Sequence, residues 1–414
     1  MGLVDVLPMN WEGRALGGCS LSDLADTYGT PLYVVDERHV VDRLAAFQRA
    51  FGSDTVTAYA AKAFFCVAMA ELLAAAGWWV DVVSGGELAT ALAGGIDPGR
   101  IVVHGNVKTD AELEQAIVAG VGRIVIDDPA EMSRLIEIAA GRPVRTMLRL
   151  NIELGADTHP KIRTTGSEAQ FGMSEHQADE AIARLGAVAG HGITLHGLHI
   201  HIGSQLRDPQ IHRMALDQVM AFAETRRDRF TGKVIDVDVG GGFGVPYVDD
   251  DPVIPIERYA RVLTAAVGEH VNLRLMIEPG RSVIANAGVT LYRAMSRKGS
   301  ERPFLAVDGG ISDNPRPALY DARYEMRSIT RADSPHDTPF RVVGRHCETS
   351  DRLGEMLLPG DTVPGDLLVM PATGAYAHAM ASRYNMLPRR PVIFVADGQA
   401  RVAVPGETLD DLVR

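Results

Sequence analysis

The sequence predicts an α/β protein in which a (β/α)8 TIM barrel is joined to a C-terminal β-rich domain. Two observations support this prediction. Eight strand-like segments alternate with helical patterns between residues 55 and 277, and after Gly288 strand-like segments recur with little helix between them. Eight alternating units over roughly 230 residues fit the usual length of such a barrel. A doubly wound open sheet would also alternate, so alternation by itself leaves both folds open.

The eight strand candidates are mostly continuous apolar runs, as is typical of parallel strands buried on both faces. They are 55–60, 79–83, 101–104, 123–126, 144–150, 195–202, 234–239 and 273–277. Helix signals lie between them. Asp110 is expected to cap a helix that stops near Gly120, and Asp128-Pro129 predicts an N-cap followed by proline in the first turn. Helical spacing also runs through 207–229 and 255–270.

The second domain is predicted from a change in the sequence pattern after Gly288, where strand-like runs recur with little helix between them. Its strand candidates are 289–294, 304–307, 340–343, 367–370 and 391–396, and the early run 31–35 is expected to join them. A chain of 414 residues is longer than one hydrophobic core usually serves. We therefore predict a barrel domain over 39–285 and a β-rich domain formed by 1–38 and 286–414.

Composition and charge exclude several classes of protein. The net charge of −12 argues against a nucleic-acid or anionic-membrane partner. Cys19, Cys66 and Cys347 are odd in number and scattered, so we expect neither a disulfide framework nor a cysteine metal site. The N-terminus lacks the features of a signal peptide, and the apolar runs are too short to span a bilayer. We expect a cytoplasmic protein with a small-molecule substrate.

Polar residues fall at the carboxyl ends of the predicted strands, where barrel enzymes build their active sites. In strand order they are Lys62, Ser84 and Glu87, His104 and Asn106, Asn151, His201, Gly240 to Gly242, and Glu278. Random placement would not follow the strand ends in this way. The pattern therefore predicts an active site at that face of the barrel.

Lys62 lies in the apolar stretch Tyr-Ala-Ala-Lys-Ala-Phe-Phe. Apolar surroundings disfavour the charged form of an amine, so a neutral nucleophile becomes accessible. Such an amine is what Schiff-base formation with an aldehyde cofactor requires. The alternative is a lysine that merely extends its ammonium to solvent from a strand end.

A glycine run and a histidine pair are the other candidate features. Gly240, Gly241 and Gly242 follow the seventh strand and predict a backbone site for phosphate, although a simple turn would also explain them. His199 and His201 alternate along a strand and so share one face, either as core residues or as cofactor contacts. No carboxylate lies at ligand spacing from them, so no metal is predicted.

Nine motifs together resemble one known family. They are YAAKA (59–63), VDVVSGGEL (80–88), HGN (104–106), HIHIGSQ (199–205), GGGFG (240–244), EPGRS (278–282), RPALY (316–320), CETSD (347–351) and GAYAHAMASRYN (374–385). In this order, over nearly the whole chain, they resemble the meso-diaminopimelate decarboxylase family of fold-type III pyridoxal-phosphate enzymes. The resemblance implies the architecture shared with alanine racemase, a barrel plus a β-rich domain.

The resemblance also implies how pyridoxal 5'-phosphate is held. Lys62 would carry the cofactor as a Schiff base, His201 would stack on its ring and Glu278 would keep the pyridine nitrogen protonated. The phosphate and the remaining contacts would involve Ser84, Gly240, Gly241, Gly242, Gly280, Arg281 and Tyr376. A protonated ring is a strong electron sink, which decarboxylation requires.

The same resemblance assigns a substrate site and a homodimer with shared active sites. Arg281, Arg316 and Tyr320, with Tyr376, would bind the distal carboxylate of the substrate. Glu348 would pair with the distal ammonium, and Cys347 would return a proton to the reacting carbon, both from the partner subunit. The chemistry is consistent, because guanidinium groups bind carboxylates in a bidentate manner and an acid selects an ammonium.

Several positions depart from the family pattern and leave the substrate open. Lys161 and Arg163 stand where uncharged or acidic side chains are usual, Gln170 replaces a lysine, and Ser350 replaces a glycine. The leading hypothesis is decarboxylation of meso-2,6-diaminopimelate to L-lysine and CO2 in lysine biosynthesis. The alternative is a specialised biosynthetic decarboxylase that acts on another amino acid or on an aminoacyl group tethered to an acyl carrier protein. A non-catalytic pyridoxal-phosphate-binding protein is the third hypothesis, and the C-terminal domain argues against it.

Overall fold

The chain forms two compact units in a computed structural model that describes residues 6–10, 14–152, 170–188, 190, 192–299 and 301–414. The barrel unit consists of Leu44–Gly244 and Ile254–Gly280. The β unit consists of Met1–Arg43, Val245–Val253 and Arg281–Arg414. The boundaries 39–285 and 286–414 stay a prediction about which segments fold as independent domains.

The barrel unit contains a closed ring of eight parallel strands, which confirms the predicted (β/α)8 barrel and excludes an open sheet. The strands are β1 (Val56–Ala60), β2 (Trp79–Val82), β3 (Ile101–Val103), β4 (Arg123–Ile126), β5 (Val144–Arg149), β6 (Ile193–His199), β7 (Ile235–Asp238) and β8 (Leu273–Ile277). The ring closes where Met276 of β8 pairs with Val56 of β1. The largest difference from prediction is at β6, which ends at His199 although the apolar pattern continues to Ile202.

Apolar side chains from five strands pack together in the barrel. Val56, Val102, Val125, Met147 and Met276 form one buried cluster, and the half-buried Trp79 packs against it. Inward-facing side chains of this kind fill a small barrel, so the interior is a packed core.

Helices follow the strands of the barrel unit. They are Val67–Ala75, Gly85–Ala93, Asp110–Ala119, Pro129–Ala139, Glu175–Ala187, Pro209–Thr225 and Ile256–Gly268. The predicted cap at Asp128 is confirmed, since its carboxylate accepts from the N–H groups of Ala130 and Glu131. The predicted cap at Asp110 is wrong: Thr109 has the extended backbone of an N-cap, and its Oγ1 accepts from Glu112 N at 3.2 Å. Asp110 is the first helical residue.

The β unit is built on a nine-stranded mixed sheet. Its strands are Leu32–Asp36, Gly288–Lys298, Phe304–Val307, Arg327–Ser328, Thr338–Val343, Arg352–Leu358, Leu367–Met370, Val392–Ala396 and Gln399–Val404. As predicted, the early strand joins this sheet, where Leu32–Asp36 pairs antiparallel with Gly288–Lys298 and parallel with Val392–Ala396. Arg352–Leu358 and Gln399–Val404 were not predicted, because about half of their side chains are exposed and polar ones interrupt the apolar pattern.

Shorter elements complete the β unit. Met9–Asn10, Ala15–Leu16 and Cys19–Ser20 form a small antiparallel sheet, and the helices are Leu21–Tyr28, Arg281–Ile284, Arg316–Tyr320 and Leu409–Leu412. A further helix, Glu37–Phe51, crosses the division between the units. Among the described residues, every helix is too short or too polar to cross a lipid bilayer.

A buried ion pair ties the loop after β3 to β4. Lys108 Nζ donates to the carbonyl oxygens of Gly105 and Val125 and to Glu131 Oε1, each at 2.7 Å. The other carboxylate oxygen of Glu131 accepts from Asp127 N at 2.8 Å. Because both side chains are almost fully buried, removing one charge would leave the other without compensation.

Replacing Lys108 with methionine is therefore expected to lower the free energy of unfolding by about 3–5 kcal/mol. Urea unfolding followed by circular dichroism measures the change. Glu180→Gln, which removes an exposed partner of Arg184, is the control and should cost no more than about 0.5 kcal/mol. A Lys108→Met loss as small as that of the control would show that the ion pair does not hold this loop.

Candidate active site

Five ionisable side chains are buried where the barrel strands end. They are Asp81 in β2, His104 after β3, His199 at the end of β6, Asp238 at the end of β7 and Glu278 after β8, each no more than 5% exposed. Polar residues inside apolar strands, as in Val80-Asp81-Val82, point inward because the neighbouring positions face the surrounding helices. The barrel unit therefore concentrates charge at one end.

Glu278 is held between two histidines. His104 Nε2 lies 2.6 Å from Glu278 Oε1, and His199 Nε2 lies 3.3 Å from Glu278 Oε2. The two imidazole rings meet edge to face with centroids 4.6 Å apart. Burial acts to raise the pKa of Glu278, but the two histidines outweigh it and hold the pKa well below its ordinary value. Burial also lowers the pKa of His199 to about 3, so that ring stays neutral.

Lys62 lies in the short turn Ala61–Ala63 that follows β1. Its side chain is 42% exposed, and its Nζ lies 3.6 Å from the fully buried Asp81 Oδ2. Burial raises the pKa of Asp81, and the nearby Glu278 carboxylate adds to the rise. The amine is thus accessible while a buried acid holds it in position.

Asp81 also connects the lysine to the histidine clamp. Its Oδ1 lies 3.8 Å from His104 Nε2, which in turn contacts Glu278. Lys62 and Glu278 therefore belong to one continuous cluster in the barrel unit, as the strand-end pattern predicts.

The glycine run has no room for side chains. A Cβ at Gly240 would lie 2.7 Å from His201 Nδ1, one at Gly241 would lie 2.4 Å from the carbonyl oxygen of Glu278, and one at Gly242 would lie 2.5 Å from that of Gly203. Gly240 and Gly242 also have positive φ angles of 68° and 91°. The carbonyl oxygens of all three accept hydrogen bonds, from Glu278 N, His212 Nε2 and Leu206 N respectively. Their backbone is thereby fixed between the ends of β6 and β8.

His201 stands against this run. Burial, and secondly the Lys62 ammonium, lower its pKa well below the ordinary value, so the imidazole is neutral. Gly280 is equally confined, because a Cβ there would lie 2.9 Å from Ala60 Cβ. Ser84 caps the helix Gly85–Ala93, where its Oγ accepts from Glu87 N at 3.2 Å.

A second cluster lies within the β unit and joins two of the predicted arginines. Arg281 Nη1 donates to Tyr247 Oη at 2.6 Å, and its guanidinium lies 4.6 Å from the ring centroid of Tyr376. Arg316 Nη1 donates to Tyr324 Oη, and its guanidinium lies 4.9 Å from the ring of Tyr247. The structure thus brings together Arg281, Arg316 and Tyr376, as predicted.

Three other predicted substrate residues lie on the surface of the β unit. Tyr320 is 63% exposed, and Cys347 and Glu348 occupy an exposed turn between two strands. The preceding His346 anchors this turn, since its ring nitrogens contact Ser312 Oγ at 2.9 Å and Asn385 Oδ1 at 3.0 Å. Within one chain, the turn presents the thiol and the carboxylate outward.

Sequence reasoning missed four side chains of these clusters. Asp81 and Asp238 had a usable signal, an acid within an otherwise apolar buried strand. Tyr247 and Tyr324 had none, because each stands in a loop outside the strand-end pattern. Of the departures from the family pattern, Gln170 and Ser350 are exposed, and Lys161 and Arg163 lie outside the described residues.

Comparison with known proteins identifies the class. Residues 37–285 match the family described as pyridoxal-dependent decarboxylase, pyridoxal binding domain. Together with the barrel and its strand-end lysine, this match defines a pyridoxal-phosphate-dependent amino-acid decarboxylase.

Relatives narrow the family. The chain is 41% identical over 407 residues to diaminopimelate decarboxylase of Actinosynnema pretiosum subsp. auranticum, with 96% of this chain and 91% of that one covered. It is 38% identical over 415 residues to diaminopimelate decarboxylase of Bacillus subtilis, covering 96% and 94%. The chain belongs to the diaminopimelate decarboxylase family, which confirms the family predicted from its motifs.

Solved structures agree with this assignment. Diaminopimelate decarboxylase from M. jannaschii, in a co-complex with L-lysine, superposes with a TM-score of 0.90 at 30% identity and covers 100% of this chain and 98% of that one. The Helicobacter pylori enzyme complexed with L-lysine gives a TM-score of 0.86 at 32% identity, covering 94% and 98%.

The barrel cluster fits pyridoxal phosphate. His201 Nδ1 is buried and finds no hydrogen-bond partner in the described parts of the chain. Buried polar atoms in native proteins nearly always have partners, so this atom marks a place where a polar group binds. His104, His199 and Glu278 each place an atom within 4.8 Å of the others, a spacing that would also suit a cation. His104 Nε2 and Glu278 Oε1 contact each other directly at 2.6 Å.

The pKa of Glu87 can be used to test how burial affects acidic side chains near the strand ends. Burial raises the pKa of Glu87 to about 7. The N–H of Val83 donates to Glu87 Oε2 at 2.7 Å and acts to lower the pKa, but burial is the larger effect. Because the folded-state pKa lies above the unfolded value, the stabilisation is complete below the unfolded pKa and is lost as pH rises through about 7.

Relative to Glu87→Gln, the wild-type protein should thus lose about 1–3 kcal/mol of stability between pH 5 and pH 8. Urea unfolding of both proteins across this range measures the difference. Glu114→Gln is the control, because hydrogen bonding to Arg142 lowers the pKa of Glu114 and its effect should be constant over the same range. A constant difference for Glu87→Gln would contradict the raised pKa.

Proposed function

We propose that this protein removes one carboxylate of meso-2,6-diaminopimelate as CO2 and produces L-lysine. The observation that carries the proposal is that each unit holds its own cluster of charged side chains. The barrel unit holds an accessible amine with a buried acid, and the β unit holds two arginines that donate hydrogen bonds to buried tyrosines. Relatives that cover nearly the whole chain are named diaminopimelate decarboxylase, and two solved relatives contain L-lysine, the product of that reaction.

The residues of the barrel unit would hold the cofactor by complementary chemistry. Lys62 Nζ would bind its aldehyde carbon, and Glu278 would pair with its ring nitrogen. His201 would stack on the ring, with Ser84 nearby. The phosphate would be bound by the backbone of Gly240, Gly241, Gly242 and Gly280.

When bound, pyridoxal phosphate supplies an electron sink for the pair left behind when the carbon–carboxylate bond breaks. Glu278 has the charge this requires, because His104 and His199 keep its carboxylate ionised and so able to hold a proton on the ring nitrogen. The vacated carbon takes its proton from Cys347 Sγ. One C–C bond is broken and one C–H bond is formed, with CO2 as the leaving group.

The substrate is selected by charge at its far end. Arg281 and Arg316, with Tyr320 and Tyr376, would bind the distal carboxylate, since guanidinium groups offer paired donors to a carboxylate. Glu348 would bind the distal ammonium. A substrate with an amino-acid group at each end satisfies both requirements.

We further propose a cytoplasmic homodimer with shared active sites. The exposed Cys347 and Glu348 have the position expected of side chains that complete the site of another subunit. The turn that carries them borders a cavity of about 980 Å³ in the β unit, lined in part by Thr349, Ser350 and Tyr324. The three cysteines are free, as is usual in a reducing compartment.

A substrate screen tests the proposed reaction. The purified protein with pyridoxal phosphate should release CO2 and L-lysine in equal amounts from meso-diaminopimelate, and little product from ornithine or lysine. Lys62→Ala should lose the visible cofactor band and about a thousandfold or more in kcat. Lys233→Ala, at an exposed lysine, is the matched control and should retain both.

Two other outcomes separate the alternatives. Turnover of aminoacyl thioesters on an acyl carrier protein, without turnover of free diaminopimelate, would indicate a specialised biosynthetic enzyme. A cofactor band without CO2 release from any diamino acid would indicate a binding protein without catalysis.

Mixing two inactive variants tests the shared site. Lys62→Ala and Cys347→Ala should each be nearly inactive alone, and subunit exchange between them should restore about a quarter of wild-type activity, because half of the dimers would be mixed and each would have one intact site. Mixing Lys62→Ala with the Lys62→Ala/Cys347→Ala double variant is the control and should restore nothing. Absence of recovery from the first mixture, with exchange verified by mass spectrometry, would place both residues in the site of a single chain.

A further inference from the structure

Two tyrosines of the β unit form a rigid pair between the arginines. The rings of Tyr247 and Tyr324 meet edge to face at 85° with centroids 5.2 Å apart, and each side chain is no more than 5% exposed. Buried aromatic pairs in this geometry have few alternative rotamers and attract each other in addition to the effect of burial. The pair is therefore a fixed surface within the β unit.

Each tyrosine holds one arginine by the same contact. Tyr247 Oη accepts from Arg281 Nη1 at 2.6 Å, and Tyr324 Oη accepts from Arg316 Nη1. The ring of Tyr247 also lies beneath both guanidinium groups, at 5.7 Å from Arg281 and 4.9 Å from Arg316. The separation of the two cations is thus set by the tyrosine pair, since the arginines themselves are long and flexible.

The partners of Arg316 are uncharged. Arg316 is 7% exposed, and no carboxylate of the described residues lies within 4.0 Å of its nitrogen atoms. Burial, and secondly Tyr247, raise the pKa of Tyr324, so its phenol keeps its proton. A carboxylate in that position would neutralise the guanidinium, whereas a phenol orients it and leaves its charge for a ligand.

We propose that Tyr247 and Tyr324 are positioning residues that fix the place and orientation of the two guanidinium groups, so that these groups receive the distal carboxylate of a diamino diacid of one length. This inference rests on the proposed function, because it takes the ligand of the arginines to be the distal carboxylate of the substrate. A displacement of about 1 Å at a positioning group can lower kcat/KM by about a hundredfold, so a rigid pair would distinguish substrates that differ by one methylene.

The test compares three diamino diacids, namely 2,5-diaminoadipate, meso-2,6-diaminopimelate and 2,7-diaminosuberate. In Tyr324→Phe the ring is kept and only the contact to Arg316 is lost. We expect the KM for diaminopimelate to rise about tenfold with kcat within about threefold, and the preference for it over the longer diacid to fall about tenfold, since an unanchored guanidinium tolerates other lengths. Tyr247→Phe should act in the same direction through Arg281.

Controls separate positioning from folding. Tyr28→Phe, at a half-buried tyrosine at the end of helix Leu21–Tyr28, should change neither KM nor the preference. A role of Tyr247 and Tyr324 in folding alone would lower Tm or reduce kcat/KM for all three diacids by one factor, and either result without a change of preference would overturn the proposal.

A second experiment tests the effect of a negative charge in place of the Tyr324 phenol. Tyr324→Glu should lose at least about ten times more kcat/KM for diaminopimelate than Tyr324→Gln, because the new carboxylate would pair with Arg316 in place of the substrate. Equal losses would overturn the role of the neutral phenol. If the wild-type protein decarboxylates none of the diacids, the proposed function fails; if it does and the variants keep its preference, only the positioning role fails.

Discussion

The contact between Glu278 and the two histidines is the interaction on which the chemistry of the barrel unit depends. A carboxylate buried at the end of a barrel strand would ordinarily take up a proton, because burial penalises its charge. His104 at 2.6 Å and His199 at 3.3 Å reverse that outcome and keep Glu278 ionised. The consequence reaches Lys62 through Asp81, which contacts both the lysine and His104. The acid proposed to pair with the ring nitrogen and the amine proposed to bind the aldehyde thus belong to one connected set of side chains.

This arrangement explains why glycine occupies three successive positions after β7. The ends of β6 and β8 carry His201 and Glu278, and they approach the intervening backbone so closely that any Cβ there would overlap them. The same close approach fixes the backbone through hydrogen bonds to its carbonyl oxygens. The packing of the neighbouring strand ends therefore requires the glycine run, and the same run is the proposed phosphate site.

The sequence predicts the barrel well because its strands are buried on both faces and read as short apolar runs between turn residues. The same rule fails where that condition does not hold. Arg352–Leu358 and Gln399–Val404 are half exposed, and their mixed character hides them. The cap at Thr109 was missed because the choice between adjacent capping residues depends on one backbone dihedral. Lys62, His201 and Glu278 could be named because they follow strands, whereas the pairing of Tyr247 with Tyr324 joins segments almost eighty residues apart.

The two clusters differ in the partners of their charged side chains, and the proposed ligand groups account for the difference. The barrel unit places acids beside its histidines and lysine, because a cationic ring nitrogen needs an anion that is already ionised. The β unit surrounds the guanidinium of Arg316 with phenols, because a carboxylate ligand needs a cation that is oriented but not neutralised. A carboxylate in place of the phenol beside Arg316 would neutralise the guanidinium before any ligand bound. The phenols around Arg316 thus support the proposal that the β unit binds an anionic group.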